Sequence, residues 1–306
     1  MKHFIALCAA GTLLAACSKT ETDTTATEAA SAAEAAAVET TEAMTKAPDL
    51  TAILASQPEA AQARYDARNP AATLEFFGIE PGMTVVEALP GGGWYSKILY
   101  PYLGADGKLI GVDYALDMFP LFGFFSDEAL EKKKTWAADW VADVKTWGDD
   151  DAAEASAFVF GSMPEDLAGS ADAVLMVRAL HNLNRFEAEG QYRTKALSDA
   201  FNVLKPGGTL GVVQHQAREE MPDDWADGSN GYLKQSAVIA AAEAAGFEFV
   251  ESSDINANPA DQPTTEDIVW RLSPTLATSR DNETLRAELS EIGESNRMTL
   301  KFRKPE

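Results

Sequence analysis

Two carboxylates and a run of glycines follow one another in the chain at the spacing that a bound ribose requires. Glu87 closes an apolar stretch, and Gly91, Gly92 and Gly93 follow it within the sequence PGGGWY. Glycine lets the backbone turn sharply and come close to a ligand. Asp113 closes the next apolar stretch, about 20 residues or somewhat more beyond the glycines, where an acid can accept hydrogen bonds from ribose hydroxyls. These residues predict a nucleotide-like ligand site. A glycine turn without a ligand, and an Asp113 that only caps a helix, are the alternatives.

Two histidines stand near that predicted site. His181 and His215 each follow a predicted strand, and the third histidine of the chain is His3. An imidazole that titrates near neutral pH can accept the proton of an alcohol or amine nucleophile. His181 is the candidate catalytic base because it follows the fourth strand, which borders the ligand. A histidine with a purely structural role is the alternative.

The elements that must position these residues alternate between apolar strands and helices. Strands are predicted at 85–86, 109–112, 157–160, 171–177 and 209–213, with a closing pair at 247–250 and 298–302. Helical spacing lies between them, for example at 186–204 and 237–245. Such alternation predicts a doubly wound α/β sheet with the ligand at the carboxyl ends of its strands.

The segment 114–155 is long for a single crossover between two strands. It is rich in aromatic residues, which include Trp136, Trp140 and Trp147. Aromatic side chains at this density could form a lid over a pocket, or they could pack the core of the insertion's own helix.

The overall charge limits the kinds of molecule that the protein is expected to bind. The 306 residues carry a formal net charge of −23. A nucleic-acid surface needs basic patches, so no nucleic-acid partner is expected. Attraction to anionic lipids is disfavoured as well. A small-molecule substrate is expected, and the acidic surface slightly favours a neutral or cationic one.

The first 47 residues are predicted to be a targeting segment and a tether. Residues 1–16 have a short basic start and an apolar run too short to span a bilayer. The sequence Leu-Ala-Ala-Cys that ends at Cys17 resembles the lipobox of bacterial lipoproteins, so we expect cleavage before Cys17 and its acylation. An ordinary secretory signal is the alternative. Residues 17–47 are nearly all polar or small, which is typical of a disordered tether.

This reading predicts where the folded part of the chain is located. By resemblance to enteric lipoproteins, Ser18 after the cysteine favours the outer membrane, so we expect a lipoprotein of the bacterial cell envelope that faces the periplasm. Cys8 would be removed with the signal peptide, which leaves no disulfide and no cysteine metal site. The folded domain is expected at 48–306, with 114–155 as its insertion.

Several motifs together resemble those of the class I S-adenosylmethionine-dependent methyltransferases. The segment from Glu87 to Gly93 is similar to the family's acid-and-glycine motif, and Asp113 matches its ribose-binding acid. LKPGGTL and the closing IGESNRMTLKFRKP resemble the segment before the fifth strand and the antiparallel last strand. In detail the chain resembles an uncharacterised group of bacterial predicted methyltransferases that carry PGGGWY. The resemblance covers roughly 70–304.

The resemblance implies a fold, a cofactor and further site residues. The fold would be a mostly parallel, seven-stranded Rossmann-like sheet with an antiparallel last strand, and the cofactor would be S-adenosylmethionine. Gly161, Ser162 and Met163 match the turn that contacts adenine, although Ser162 stands where many members have an acid. Leu89 and Pro90 replace the first glycine and its neighbour. No metal is implied.

The implied function is transfer of a methyl group to an acceptor that the sequence does not identify. Two alternatives stay open. An NAD(P)-dependent oxidoreductase would share the glycine turn and the ribose acid. A non-enzymatic envelope lipoprotein would retain the fold without its activity, since fold alone does not settle function.

Overall fold

The structure is a computed structural model, and it describes residues 48–306. The predicted signal peptide (1–16), the lipidation of Cys17 and the tether (17–47) lie outside the described residues. In the described part of the chain no helix combines the length and the apolar character that crossing a membrane would require.

A mixed sheet runs through the centre of the fold. Its strands are β1 Thr84–Ala88, β2 Lys108–Asp113, β3 Glu154–Val159, β4 Ala171–Val177, β5 Leu204–Ala217, β6 Leu233–Lys234, β7 Glu248–Ser253 and β8 Arg297–Arg303. Seven of them form the order β3-β2-β1-β4-β5-β8-β7, and the two-residue β6 pairs with the end of β5. Strands β1 to β5 are parallel, whereas β8 is antiparallel to both β5 and β7. The predicted Rossmann-like fold class with its antiparallel closing strand is therefore confirmed.

Helices cover both faces of this sheet. In the described residues they are α1 Leu50–Ser56, α2 Glu59–Gln62, α3 Tyr65–Arg68, α4 Pro70–Phe77, α5 Ser96–Leu103, α6 Asp127–Lys133, α7 Trp136–Val144, α8 Leu180–Arg185, α9 Glu187–Gly190, α10 Tyr192–Val203, α11 Gln235–Ala244 and α12 Glu283–Ile292. The insertion 114–155 contributes α6, α7 and a 3₁₀ turn at Phe119–Phe122.

The sheet is buried on both faces because neighbouring residues of each central strand enter different cores. Val85, Leu109 and Leu175 pack in one cluster, and Val86 and Ile110 pack in the other. Complete burial of each such side chain stabilises the fold by about 1.5–3 kcal/mol. The continuous apolar stretches in the sequence follow from this two-sided burial.

The helix predicted at 186–204 is interrupted in the structure. Gln191 adopts a left-handed backbone with φ of 56°, which separates α9 from α10. The Glu187 carboxylate accepts hydrogen bonds from the backbone N–H of Arg193 at 2.8 Å and of Thr194 at 3.2 Å, so it stabilises the new helix start.

Strand β5 is also longer than predicted. The segment Leu204–Gly208, which precedes the strand predicted at 209–213, is the first part of this strand. His215, expected beyond the strand, lies within it because β5 continues to pair with β8 as far as Arg297.

Candidate active site

A cavity of about 700 Å³ opens at the carboxyl ends of β1, β2 and β4. The chain leaves β1 toward β2 on one side, and β4 pairs with β1 on the other, so the strand order reverses at this point. Ligands of open α/β sheets bind at such a reversal. The walls are the glycine turn after β1, the last residue of β2, the residues that follow β4, and the aromatic insertion.

The glycine turn presents an open backbone to the cavity. Gly91 and Gly92 line the wall. A Cβ on Gly92 would meet nothing within 4 Å, and one on Gly91 would meet only the Leu89 carbonyl oxygen at 3.9 Å. Gly93 differs, because a Cβ there would lie 2.4 Å from the Trp147 indole. Two glycines therefore leave room for a ligand, and the third leaves room for a side chain of the insertion.

Leu89 begins the turn after β1 with a left-handed backbone. Its φ is 54°, a left-handed value that costs a non-glycine residue roughly 1–2 kcal/mol. Its N–H donates a 2.7 Å hydrogen bond to the carbonyl of Val112 in β2. This bond to the neighbouring strand helps to hold Leu89 in a conformation that glycine adopts more readily.

Asp113 lies on the cavity wall with both carboxylate oxygens engaged. The Tyr114 backbone N–H donates to Oδ1 at 2.9 Å, and Lys133 Nζ, at the end of α6, donates to Oδ2 at 2.8 Å. The same ammonium lies 4.4 Å from the centre of the Phe119 ring. The predicted ribose acid is thus paired with a cation from the insertion.

Glu87 lies behind the turn and does not line the cavity. Its carboxylate is buried and accepts a 2.5 Å hydrogen bond from the hydroxyl of Ser96, the first residue of α5. Burial raises the pKa of Glu87 to about 7, and the Ser96 hydrogen bond opposes that shift. The predicted cofactor ligand instead joins β1 to the start of α5, so it positions the turn between them.

The turn after β3 lies outside the cavity wall as well. Gly161 donates its N–H to the Asp199 carboxylate at 2.6 Å, and the Ser162 N–H bonds to the Val159 carbonyl at 3.0 Å. Met163 packs against the core beneath the sheet. These three residues, predicted to contact adenine, do not line the cavity: the Gly161 N–H bonds to α10, Ser162 is exposed, and Met163 packs against the core.

Both histidines line the cavity, and their ring centres are 5.6 Å apart. Burial lowers the pKa of His181 to about 4, although the nearby Gln214 side chain opposes the shift. The expectation of a pKa near neutrality is therefore wrong for His181, because its ring is buried near cations. At pH 7 its imidazole is neutral and able to accept a proton. Its Nδ1 is buried and has no hydrogen-bond partner among the described residues.

His215 is more firmly held. Its Nδ1 lies 2.5 Å from the Ser295 hydroxyl, and Ser295 in turn accepts a 3.3 Å hydrogen bond from Arg297 Nε. Burial and the neighbouring His181 lower its pKa. His215 thus forms a neutral part of the wall, whereas His181 keeps a free hydrogen-bonding nitrogen.

The insertion performs both of the roles that the sequence left open. Trp140 is buried against β2, where a Cβ on Gly111 would lie 2.8 Å from its ring, so this tryptophan belongs to the core. Trp136 and Trp147 line the cavity together with Phe119, and Trp140 contributes to the same wall. Aromatic side chains of the insertion therefore form part of the cavity wall.

Arg178 and Trp270 are wall residues that sequence reasoning missed. Arg178 directly follows the apolar strand β4 and carries a left-handed backbone with φ of 57°. A charge at the end of a buried strand, two residues before the helix α8 that bears His181, was the available signal. Trp270 lies in a 3₁₀ turn at Val269–Arg271 that no pattern in the sequence connects to the site.

No family model and no curated protein sequence matches the chain. Solved structures are similar to it at the level of the fold. The cyclase SpnF is 18% identical with a TM-score of 0.49, over 78% of this chain and 80% of that chain. A geranyl diphosphate C-methyltransferase from Streptomyces coelicolor A3(2) is 15% identical with a TM-score of 0.49, over 83% and 87%.

A SAM-dependent methyltransferase from Aquifex aeolicus is 20% identical with a TM-score of 0.43, over 68% of this chain and 93% of that chain. These neighbours include a cyclase as well as methyltransferases. Such a likeness concerns the fold alone, and the reaction has to be argued from the site.

Proposed function

We propose that this protein is an S-adenosylmethionine-dependent methyltransferase that acts on a small-molecule acceptor. The observation that carries the proposal is that a single cavity brings together Gly91, Gly92, Asp113 and His181, which lie far apart in the sequence. The same cavity would thus offer a backbone turn that a ligand can approach closely, an acid for the ribose hydroxyls and a neutral base.

The cavity suits the cofactor. Its volume of about 700 Å³ lies within the range of roughly 300–1,000 Å³ that is typical of small-molecule sites. The backbone of Gly91 and Gly92 would approach the cofactor, since no atom of the described residues lies closer than 3.9 Å to a Cβ placed on either glycine. Asp113 would accept hydrogen bonds from the ribose hydroxyls. The Lys133 ammonium would then share the Asp113 carboxylate with the ribose or move away from it.

The residues of the chain have simple tasks in such a reaction. When bound, S-adenosylmethionine supplies a methyl group on a sulfonium, which is already a strong electrophile. The aromatic side chains of Trp136 and Trp147 would exclude water. His181 is neutral at pH 7, and its free Nδ1 would accept a hydrogen bond from an alcohol or protonated amine of the acceptor and take up its proton as the methyl group is transferred. Its lowered pKa makes it a weaker base than an exposed histidine.

The strand order favours this proposal over a dinucleotide-dependent oxidoreductase. The common dinucleotide-binding sheet is parallel, with the order 3-2-1-4-5-6. Here β8 lies between β5 and β7 and is antiparallel to both. The antiparallel closing strand is also one of the features on which the resemblance to methyltransferases rests.

We further propose that the domain is held at the bacterial envelope, on the periplasmic side of the outer membrane, by a lipid on Cys17. The lipobox-like sequence that ends at Cys17 and the polar segment after it support this location. The net charge of −23 supports a small-molecule acceptor rather than nucleic acid.

Mass spectrometry of small molecules that copurify with the full chain tests the proposed function. We expect S-adenosylmethionine or S-adenosylhomocysteine with the parent chain and much less of either with Asp113→Ala. Recovery of a nicotinamide dinucleotide in their place would contradict the proposal.

A further inference from the structure

Arg178 presents a cation to the cavity without a partner of its own. It lines the cavity wall, and within residues 48–306 its side chain has neither a hydrogen bond nor an ion pair. Burial lowers the pKa of Arg178 to about 9, so the guanidinium stays charged at pH 7. A partly desolvated cation is costly unless an anion compensates it.

The neighbouring side chains do not supply that anion. Arg64, Arg68 and Arg297 all form ion pairs with the same residue, Glu294. These four groups are also the charged neighbours with the largest effects on Arg178. With Arg178 included, four guanidiniums surround one carboxylate, so the surplus is three positive charges. The two wall histidines are neutral and do not change this count.

The backbone at Arg178 is strained in the conformation that presents the side chain. Its φ is 57°, and its N–H donates a 2.6 Å hydrogen bond to the Val213 carbonyl in β5. A left-handed backbone at a non-glycine residue costs roughly 1–3 kcal/mol and persists where the surroundings enforce it. Strain of this kind is concentrated at ligand sites.

A second, smaller cavity adjoins the first at Arg178. It has about 110 Å³, which is room for three or four water molecules at roughly 30 Å³ each. Arg178, His215 and Trp270 line both cavities, whereas Glu294, Ser295 and Arg297 line only the smaller one. The Glu294 carboxylate in this wall is already paired with Arg64, Arg68 and Arg297, so it does not neutralise Arg178. No residue of the glycine turn reaches the smaller cavity. It is therefore a recess with a surplus of positive charge on the side away from the cofactor turn, with space for a small charged group.

We propose, building on the proposed function, that the methyl acceptor carries an oxyanion, a carboxylate or a phosphate, which binds Arg178 where the two cavities meet. The planar guanidinium can donate two parallel hydrogen bonds to either group. The rest of the acceptor would then lie in the main cavity, beside His181. The main cavity also carries the carboxylates of Asp113, Asp139 and Asp143, but none of them lines the smaller cavity. Distant surface charges are screened over about 8–10 Å, so the slight preference for a neutral or cationic acceptor that the net charge of −23 suggested does not extend to Arg178.

Calorimetric titration of the full chain in a mild non-ionic detergent, at constant ionic strength, tests this inference. The probes are sodium acetate and sodium phosphate, each with S-adenosylhomocysteine present. We expect saturable binding of at least one probe, and the preferred probe indicates which oxyanion the acceptor carries. Arg178→Met should weaken that binding about tenfold or more, because it removes a charge-assisted contact. Arg178→Lys keeps the positive charge but lacks the two parallel donors of the guanidinium, so it should bind the probe with intermediate affinity.

Arg286→Met is the matched control, since Arg286 is an exposed arginine of α12. It should bind the probe as the parent does. Parent-like binding by Arg178→Met, or no saturable binding of either probe, would overturn the inference. Thermal unfolding of each variant shows whether it is folded. If Arg178→Met does not fold, Arg178→Lys takes its place in the titration.

A parallel titration with S-adenosylmethionine separates this inference from the proposed function. We expect Arg178→Met to bind the cofactor within about threefold of the parent. If the variant loses the cofactor and keeps the oxyanion, Arg178 serves the donor and the inference is overturned. If no chain binds the cofactor while the oxyanion still depends on Arg178, the proposed function fails and the oxyanion site stands.

Discussion

Lys133 Nζ lies 2.8 Å from Asp113 Oδ2, so the insertion is joined to the acid that was expected to bind ribose. Asp113 ends β2 and Lys133 ends α6, with the Phe119 ring against the ammonium. This ion pair connects the insertion, whose aromatic residues line the cavity, to the end of β2 in the cavity wall. A ligand that reaches Asp113 has to share the carboxylate with Lys133 or displace it.

Removal of the Lys133 cation should therefore help the cofactor. We expect Lys133→Met to raise the affinity for S-adenosylmethionine about threefold, since Asp113 becomes free and a positive charge leaves the path of a cationic ligand. Lys132→Met is the control on the same helix, because Lys132 is exposed and pairs with Glu128. Calorimetry compares the three chains. A large loss of affinity in Lys133→Met alone would show that Lys133 itself binds the ligand.

The two neighbouring glycines Gly92 and Gly93 should respond differently to the same substitution. Gly92→Ala places its methyl group in open cavity space, so we expect parent-like stability and at least tenfold weaker cofactor binding. Gly93→Ala drives a Cβ into Trp147 at a φ of 75°, so it should lower the free energy of unfolding by roughly 1–3 kcal/mol. Urea unfolding and cofactor titration of both variants check this. Equal stability of the two would contradict the packing of Trp147 on the turn.

Buried His181 should make the fold sensitive to acid. Its pKa is about 4 in the folded chain and about 6.5 when unfolded, so the unfolded chain binds the proton first as the pH falls. The parent should therefore lose stability from about pH 6.5 down toward pH 4, by roughly 2 kcal/mol at pH 5 from this group. His181→Gln should remove that part of the loss. Urea unfolding at pH 7.5 and pH 5 measures it, and an equal loss in both chains would contradict a neutral, buried His181.

Membrane attachment should depend on Cys17. The lipobox-like sequence predicts acylation, so Cys17→Ser expressed with labelled palmitate should carry no label and should leave the membrane fraction. Ser18→Ala, next to it, should keep the label. Labelling of Cys17→Ser at the level of the parent would exclude the proposed anchor.

The central strands of the sheet were predictable because each contains an apolar run, which two-sided burial requires. Asp113 and the glycines could be placed at the site for the same reason, since strand ends in a parallel sheet share one edge. The break at Gln191 was not predictable, because it depends on how the Glu187 carboxylate caps the helix that follows. From its position in the sequence alone, Glu87 was predicted to be a cofactor ligand. Only its hydrogen bond with Ser96 shows that it lies behind the turn.

The charges of the site could not be predicted from the sequence. Arg64 and Glu294 are separated by nearly the whole folded part of the chain, yet they form an ion pair. Only the fold shows that Glu294 is shared by three arginines, while Arg178 has no partner within residues 48–306. The net charge of the sequence did not indicate this cation in the cavity wall. The depressed pKa of His181 is likewise a consequence of burial, which no spacing reveals.

The central claim is that the cavity at the carboxyl ends of β1, β2 and β4 binds S-adenosylmethionine through Asp113. Calorimetric titration of the full chain with S-adenosylmethionine and with NAD, for the parent, Asp113→Ala and the exposed control Asp106→Ala, tests it most directly. Charge-assisted hydrogen bonds of about 1.5–3 kcal/mol each predict a tenfold to several-hundredfold loss in Asp113→Ala, with Asp106→Ala unchanged. Binding of NAD but not S-adenosylmethionine would contradict the methyltransferase assignment, and binding of neither would point to a non-enzymatic lipoprotein.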